Sequence, residues 1–168
     1  MSEPSVRAAL TSLQDDPARK DAWRSLYAAL GLQGEGDQQT FEGQGGPNDA
    51  LAEAIEQFEL LGDPETVCEL LRVYALVYPE HRSALSLRRA KILSDLLFDG
   101  GSAKIVLRAI LAQEPSFEPA KDALEREEER DDRWPELMDR YADEAGKATE
   151  QALAASLYGA AADAAFRV

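Results

Sequence analysis

Residues 82–115, RSALSLRRAKILSDLLFDGGSAKIVLRAILAQEP, decide how the chain is read. A long segment with apolar residues at helical intervals runs into Gly100 and Gly101. A second amphipathic segment follows and closes at Pro115. Two such segments around a glycine break describe a helical hairpin. Segments of similar layout stand on either side, so the chain reads as a short array of helix pairs.

Upstream, Asn48 caps a helix whose Leu51, Ala54, Ile55, Phe58 and Leu61 share one face, and Gly62 ends it. Asp63, Pro64 and Glu65 supply the cap, first-turn proline and first-turn acid of the next helix. That helix carries Val67, Leu70, Leu71, Tyr74 and Val77 and must stop before Pro79. Earlier still, helices are expected near 4–14 and 17–30, the second with Ala22, Trp23, Leu26, Tyr27 and Leu30 on one stripe. Trp23, Trp134, Tyr74 and Tyr141 each continue an apolar stripe and are expected in the core.

The fifth helix, expected over 82–98, is apolar around most of its circumference and is expected in the middle of the stack. Downstream of Pro115, a seventh helix opens at Phe117, Ala120 and Ala123 and loses its apolar face in ALEREEERDD. An eighth carries Trp134, Leu137, Met138, Tyr141 and Ala145, with Pro135 in its first turn and Gly146 at its end. A ninth runs from about Ala148 to the terminus. Its Gly159 costs roughly 1 kcal/mol relative to alanine, for which close packing is the expected compensation.

Residues 31–47, GLQGEGDQQTFEGQGGP, hold six glycines and no apolar period. They read as a flexible connector or as a folded loop that covers a groove, with Phe41 as its one anchor. The expected organisation is therefore an N-terminal hairpin over 1–31, a glycine-rich loop or linker over 32–47 and helical repeats over 48–168.

Second helices show a small or apolar residue, a large apolar residue and a terminal proline: Ala103, Leu107 and Pro115, then Val67, Leu71 and Pro79. With DDRWPELMDRYADEA and the weaker AWRSLYAAL, this pattern resembles degenerate bacterial tetratricopeptide repeats over roughly residues 48–146. Ile55 and Lys91 stand where that family usually places a small residue, and a HEAT-like array is the other two-helix solution. The resemblance implies an all-α, right-handed solenoid of about four helical hairpins plus a C-terminal helix. It also implies a concave face that holds a peptide or a partner helix.

Composition supports the helical reading: 45% of residues are hydrophobic and only 7% aromatic, with Ala, Leu, Glu and Arg dominant and no β-branched runs. A formal net charge of -14 argues against nucleic-acid binding through phosphates and against attraction to an anionic membrane. No apolar run reaches a spanning length, and the N-terminus lacks a basic region followed by an apolar core, so a cytoplasmic protein is expected. The charge is unevenly placed. Residues 66–113 hold seven bases against four acids, between acidic blocks at 35–65 and 114–150.

No phosphate loop, HExxH, GxSxG or CxxC occurs, so neither an enzyme, a cofactor nor a metal site is expected. Cys68 reads as a buried small hydrophobe, and His81 as a turn residue. The expected function is a non-enzymatic scaffold that binds another protein or peptide through a solenoid groove or through the apolar C-terminal helix. The alternative is an acidic inhibitor or chaperone that masks a basic surface of a nucleic-acid-binding protein.

Partner contacts are expected at six residues. Arg82 and Arg89 fall on an otherwise apolar arc, where they must pair with a neighbouring helix's carboxylate or face a ligand. Arg88 and Lys91 share a polar strip with Asp95, spaced for an i, i+4 pair with Lys91. Leu157 and Phe166 are the large apolar residues of the last helix. That helix has little polarity, so it is expected to self-associate, to contact another subunit or to continue into further repeats.

Overall fold

The computed structural model describes residues 3–34, 39–41 and 45–166, without the side chains of 3–5, 131, 132, 134 and 163–166. The described chain is all-α: eight α-helices, one 3-10 turn and a two-stranded ribbon. It divides into two compact units, Met1–Ile92 and Leu93–Val168. The boundary falls inside the fifth helix, within the stretch that reads as the central repeat.

The first unit begins with α1 (Glu3–Asp15), which packs on α2 (Lys20–Leu30). The N–H of Ala18 donates to the Asp16 carboxylate at 3.1 Å, which fixes the turn between them. Strands β1 (Leu32–Gln33) and β2 (Thr40–Phe41) then pair antiparallel, Leu32 opposite Phe41 and Gln33 opposite Thr40. The described part of the glycine-rich segment is therefore folded back on the helices. Phe41 packs against the core, as its isolation in a polar stretch predicts.

Next comes α3 (Asp49–Leu61), whose cap Asn48 accepts from the Leu51 N–H at 3.1 Å. Gly62 closes it at φ 71°, a left-handed conformation that glycine adopts at no steric cost. Leu51, Ala54, Ile55 and Phe58 are buried. Leu61, expected on the same face, is 69% exposed, because the chain reverses one residue later and carries it past the packed stripe.

The central helix of this unit is α4 (Pro64–Val77). Asp63 caps it, accepting from the Thr66 N–H at 3.0 Å, and Pro64 occupies its first turn. Buried residues run from Thr66 to Val77 around nearly its whole circumference. The sequence assigns that central place to the fifth helix, and the structure corrects it. The fifth helix, α5 (Arg82–Asp95), buries only Ala90, Leu93 and Ser94, since four of its surface positions carry Arg82, Arg88, Arg89 and Lys91. It ends at Asp95 rather than Phe98, whose φ of 54° turns the chain out of the helix.

At Gly45 an added Cβ would lie 2.2 Å from the Val77 carbonyl oxygen, so only glycine lets the returning loop meet the end of α4. The Gly46 N–H donates to that same oxygen at 2.9 Å. The backbone contact thus satisfies a helix-terminal carbonyl that would otherwise lack a partner.

In the second unit, α6 (Gly100–Gln113) starts at Asp99, which accepts from the Ser102 N–H at 2.9 Å. The hydrogen bonds of Ser102 also hold the Asp99 carboxyl below its ordinary value. Helix α7 (Glu118–Lys147) is a single 30-residue helix with Pro135 inside it. It packs on α6 and on α8 (Gln151–Phe166). The sequence predicts two helices here, so the structure has eight rather than nine. A proline in a helix interior costs about 3 kcal/mol, yet neither Gly nor Asn lies between Phe117 and Ala145 to turn the chain. Strong helix formers and pairs such as Arg133 with Glu129 and Lys147 with Asp143 carry the helix through.

Gly159 is also corrected. It is exposed, and an added Cβ there would meet nothing within 4 Å, so close packing does not explain it.

Candidate functional site

Helix α2 has two faces. Ala22, Leu26 and Leu30 are buried against the first unit's core. Lys20, Trp23, Arg24, Tyr27 and Ala28, spaced i, i+3, i+4, i+7 and i+8, line a groove of about 550 Å³ whose far wall is Leu32, Gly34 and Gln39. The ribbon after α2 supplies that wall, so the groove exists because the glycine-rich segment folds back.

Both aromatic residues of the groove have their polar ends committed inside the protein. Trp23 Nε1 donates to the Pro17 carbonyl at 2.9 Å, and the Tyr27 hydroxyl donates to Glu69 Oε1 at 2.6 Å. Their ring centroids lie 5.8 Å apart with planes tilted by 34°, within the range of favourable aromatic pairs. What they leave for the groove is ring surface, held in place by hydrogen bonds.

Beneath Tyr27 lies a network on α4. Arg72 Nε donates to Glu69 Oε2 at 2.8 Å, and its Nη2 donates to Glu69 Oε1 and Gln39 Oε1, each at 2.6 Å. Arg72 is 9% exposed and Gln39 only 4%. The fork of a guanidinium across both oxygens of a carboxylate is the strongest geometry available to such a pair. Through Gln39 it also fastens the ribbon to α4.

Burial pushes the Glu69 carboxyl up, but the hydrogen bonds from Arg72 and Tyr27 outweigh it and hold the group below its ordinary value. For Arg72 burial alone would lower the pKa, and the Glu69 partner raises it. Tyr27 is pushed up by burial and then by the Glu69 hydrogen bond, so it keeps its proton. The network is a closed ion pair with no group poised to exchange a proton near neutrality.

The residues selected from sequence lie elsewhere. Arg82 is half-buried and its Nε donates to the Ala75 carbonyl at 3.3 Å. Arg88 is exposed and pairs with Glu59 of α3. The Arg89 Nε is buried without a hydrogen-bond partner, while its charge helps to lower Glu69. Lys91 is exposed on α5, and Asp95 pairs with Arg130 at 3.5 Å. Leu157 is half-buried on α8 in the second unit, and the side chain of Phe166 lies outside the described residues. The four basic residues therefore share one helix, and none lines the groove.

The groove network was legible only in part. Glu69 and Arg72 are the charges in an otherwise apolar run, three residues apart, and that spacing signals a buried pair. Nothing in the sequence singles out Gln39 from the polar residues around it.

Among the described residues no group of three or more His, Cys, Asp or Glu is arranged to hold a metal ion. Cys68 is buried, with its thiol 3.7 Å from the Arg89 carbonyl. No described helix is long and apolar enough to cross a membrane. Comparison with known protein families, curated proteins and solved structures found no match.

Proposed function

We propose that the protein is a non-enzymatic scaffold, acting in the cytoplasm, that binds a segment of another protein in the groove beside α2. The observation that carries this reading is the Trp23 and Tyr27 pair. Two ring surfaces line an open groove while their polar atoms are satisfied from within. Rigid aromatic surface of this kind binds apolar side chains at low entropic cost. A tetratricopeptide-like array is consistent with that role, since helix pairs of this type present grooves rather than chemical centres.

The test is site-directed photo-crosslinking. A photoreactive residue at Ala28, exposed on the groove face, is expected to capture a partner from the producing cells, and Trp23→Ala to abolish the capture. A partner captured equally well by the Trp23→Ala protein would sink the groove reading.

The second reading, an acidic mask for a basic surface, draws on α7. Its Asp122, Glu125, Glu136 and Asp139 are exposed along a 30-residue helix. Such a contact loses most of its strength between low and moderate salt, whereas an apolar groove contact changes less.

A further inference from the structure

The geometry points to the kind of segment the groove takes: an apolar or aromatic side chain flanked by carboxylates, in a short peptide stretch of a partner protein. This rests on the groove reading above and adds its charge. The groove face of α2 alternates cation and ring, Lys20 before Trp23 and Arg24 before Tyr27. A segment whose apolar side chain enters between the rings places its neighbours against Lys20 and Arg24.

The surroundings do not cancel these cations. Asp21 meets Arg24 at 3.3 Å, but both side chains are about three-quarters exposed, at 74% and 77%, and such a pair is weak and readily exchanged. Glu69, the carboxylate beneath the floor, is already matched by Arg72 and Tyr27. The rim is therefore positive on a chain whose net charge is -14. A basic segment is drawn to the acidic surface elsewhere, and an acidic one has this groove as its complementary site. No hydrogen-bonding group is needed inside, because Trp23 and Tyr27 have none left to offer.

The experiment uses the full chain and three fluorescein-labelled eight-residue peptides. One carries a central Phe flanked by Asp and Glu, one the same Phe flanked by Lys and Arg, and one a central Ala flanked by Asp and Glu. Anisotropy titrations are expected to show binding of the acidic Phe peptide alone. Affinity should fall at least tenfold in Lys20→Glu/Arg24→Glu and in Ala28→Glu, two variants that leave every buried residue in place. Tighter binding of the basic Phe peptide that Ala28→Glu removes would overturn the charge inference and leave the groove reading standing. Absence of binding by all three peptides at millimolar concentration would overturn the inference, and the photo-crosslink at Ala28 then decides the groove reading separately.

Discussion

The two compact units reach a folded state by different means. In Met1–Ile92 the buried set is made of large side chains, with Phe58, Leu13, Leu26, Leu30, Leu51, Ile55, Leu70 and Leu71 all essentially inaccessible. In Leu93–Val168 the buried apolar residues are five alanines, Ala103, Ala120, Ala123, Ala145 and Ala161, with Leu93, Leu107 and Ile110. The second unit adds ion pairs along α7, most of them exposed, which contribute only a few tenths of a kcal/mol each. Burial of large groups fixes a rigid frame, and small groups with surface charges build a longer but looser one. The groove lies in the unit that can hold two aromatic rings still.

The hardest test of that contrast is Phe58→Ala, which should cost about 4 kcal/mol in urea unfolding followed by circular dichroism. A cost below about 1 kcal/mol would break the assignment of the main core to the first unit. Arg72→Met comes next. It leaves the Glu69 carboxylate without its guanidinium and releases Gln39, for an expected loss of about 3 kcal/mol. The double variant Glu69→Leu/Arg72→Met should recover most of that loss, because an apolar pair no longer carries an unmatched buried charge.

Gly45→Ala, which forces a Cβ onto the Val77 carbonyl, is expected to cost about 2 kcal/mol. Full stability there would show that the loop can move off α4.

Acid titration sharpens the role of the network. The folded pKa of Glu69 lies below its ordinary value. Its stabilisation is thus complete above the unfolded pKa of about 4.3 and lost as pH falls through the lower folded value. Glu69→Gln should accordingly be less stable than the parent by about 1.5 kcal/mol at pH 7, with the gap closing below about pH 4. A gap unchanged by acid would mean that the carboxylate charge does not matter.

The smallest effect has the opposite sign. Gly159→Ala in α8 should raise stability by about 0.5 to 1 kcal/mol in the same unfolding assay, since the added methyl meets nothing and removes backbone freedom from the unfolded chain.

Much of the fold was legible because capping and periodicity are local. Asn48, Asp63 and Asp99 cap the helices that their spacing predicts, and Gly62 ends α3. The failures were of another kind. Pro135 reads as a helix start, but no neighbouring residue supplies a turn, so the helix runs through it. Helix α5 reads as central because its apolar residues are spread widely, and α4 is central because its one buried carboxylate and one buried guanidinium neutralise each other.

The sequence by itself determined an all-α chain, the position of most helix starts, an apolar stripe on each helix of the first unit and the lack of any motif for catalysis. Those properties depend on residues within a few positions of one another. Tertiary structure decided the groove. It needed Gly45 to bring a loop onto α4, Gln39 to reach Arg72 across 33 residues and Glu69 to draw the Tyr27 hydroxyl inward across 42. Contacts so distant along the chain leave no local period to read, because it is the folded backbone that sets which polar groups meet.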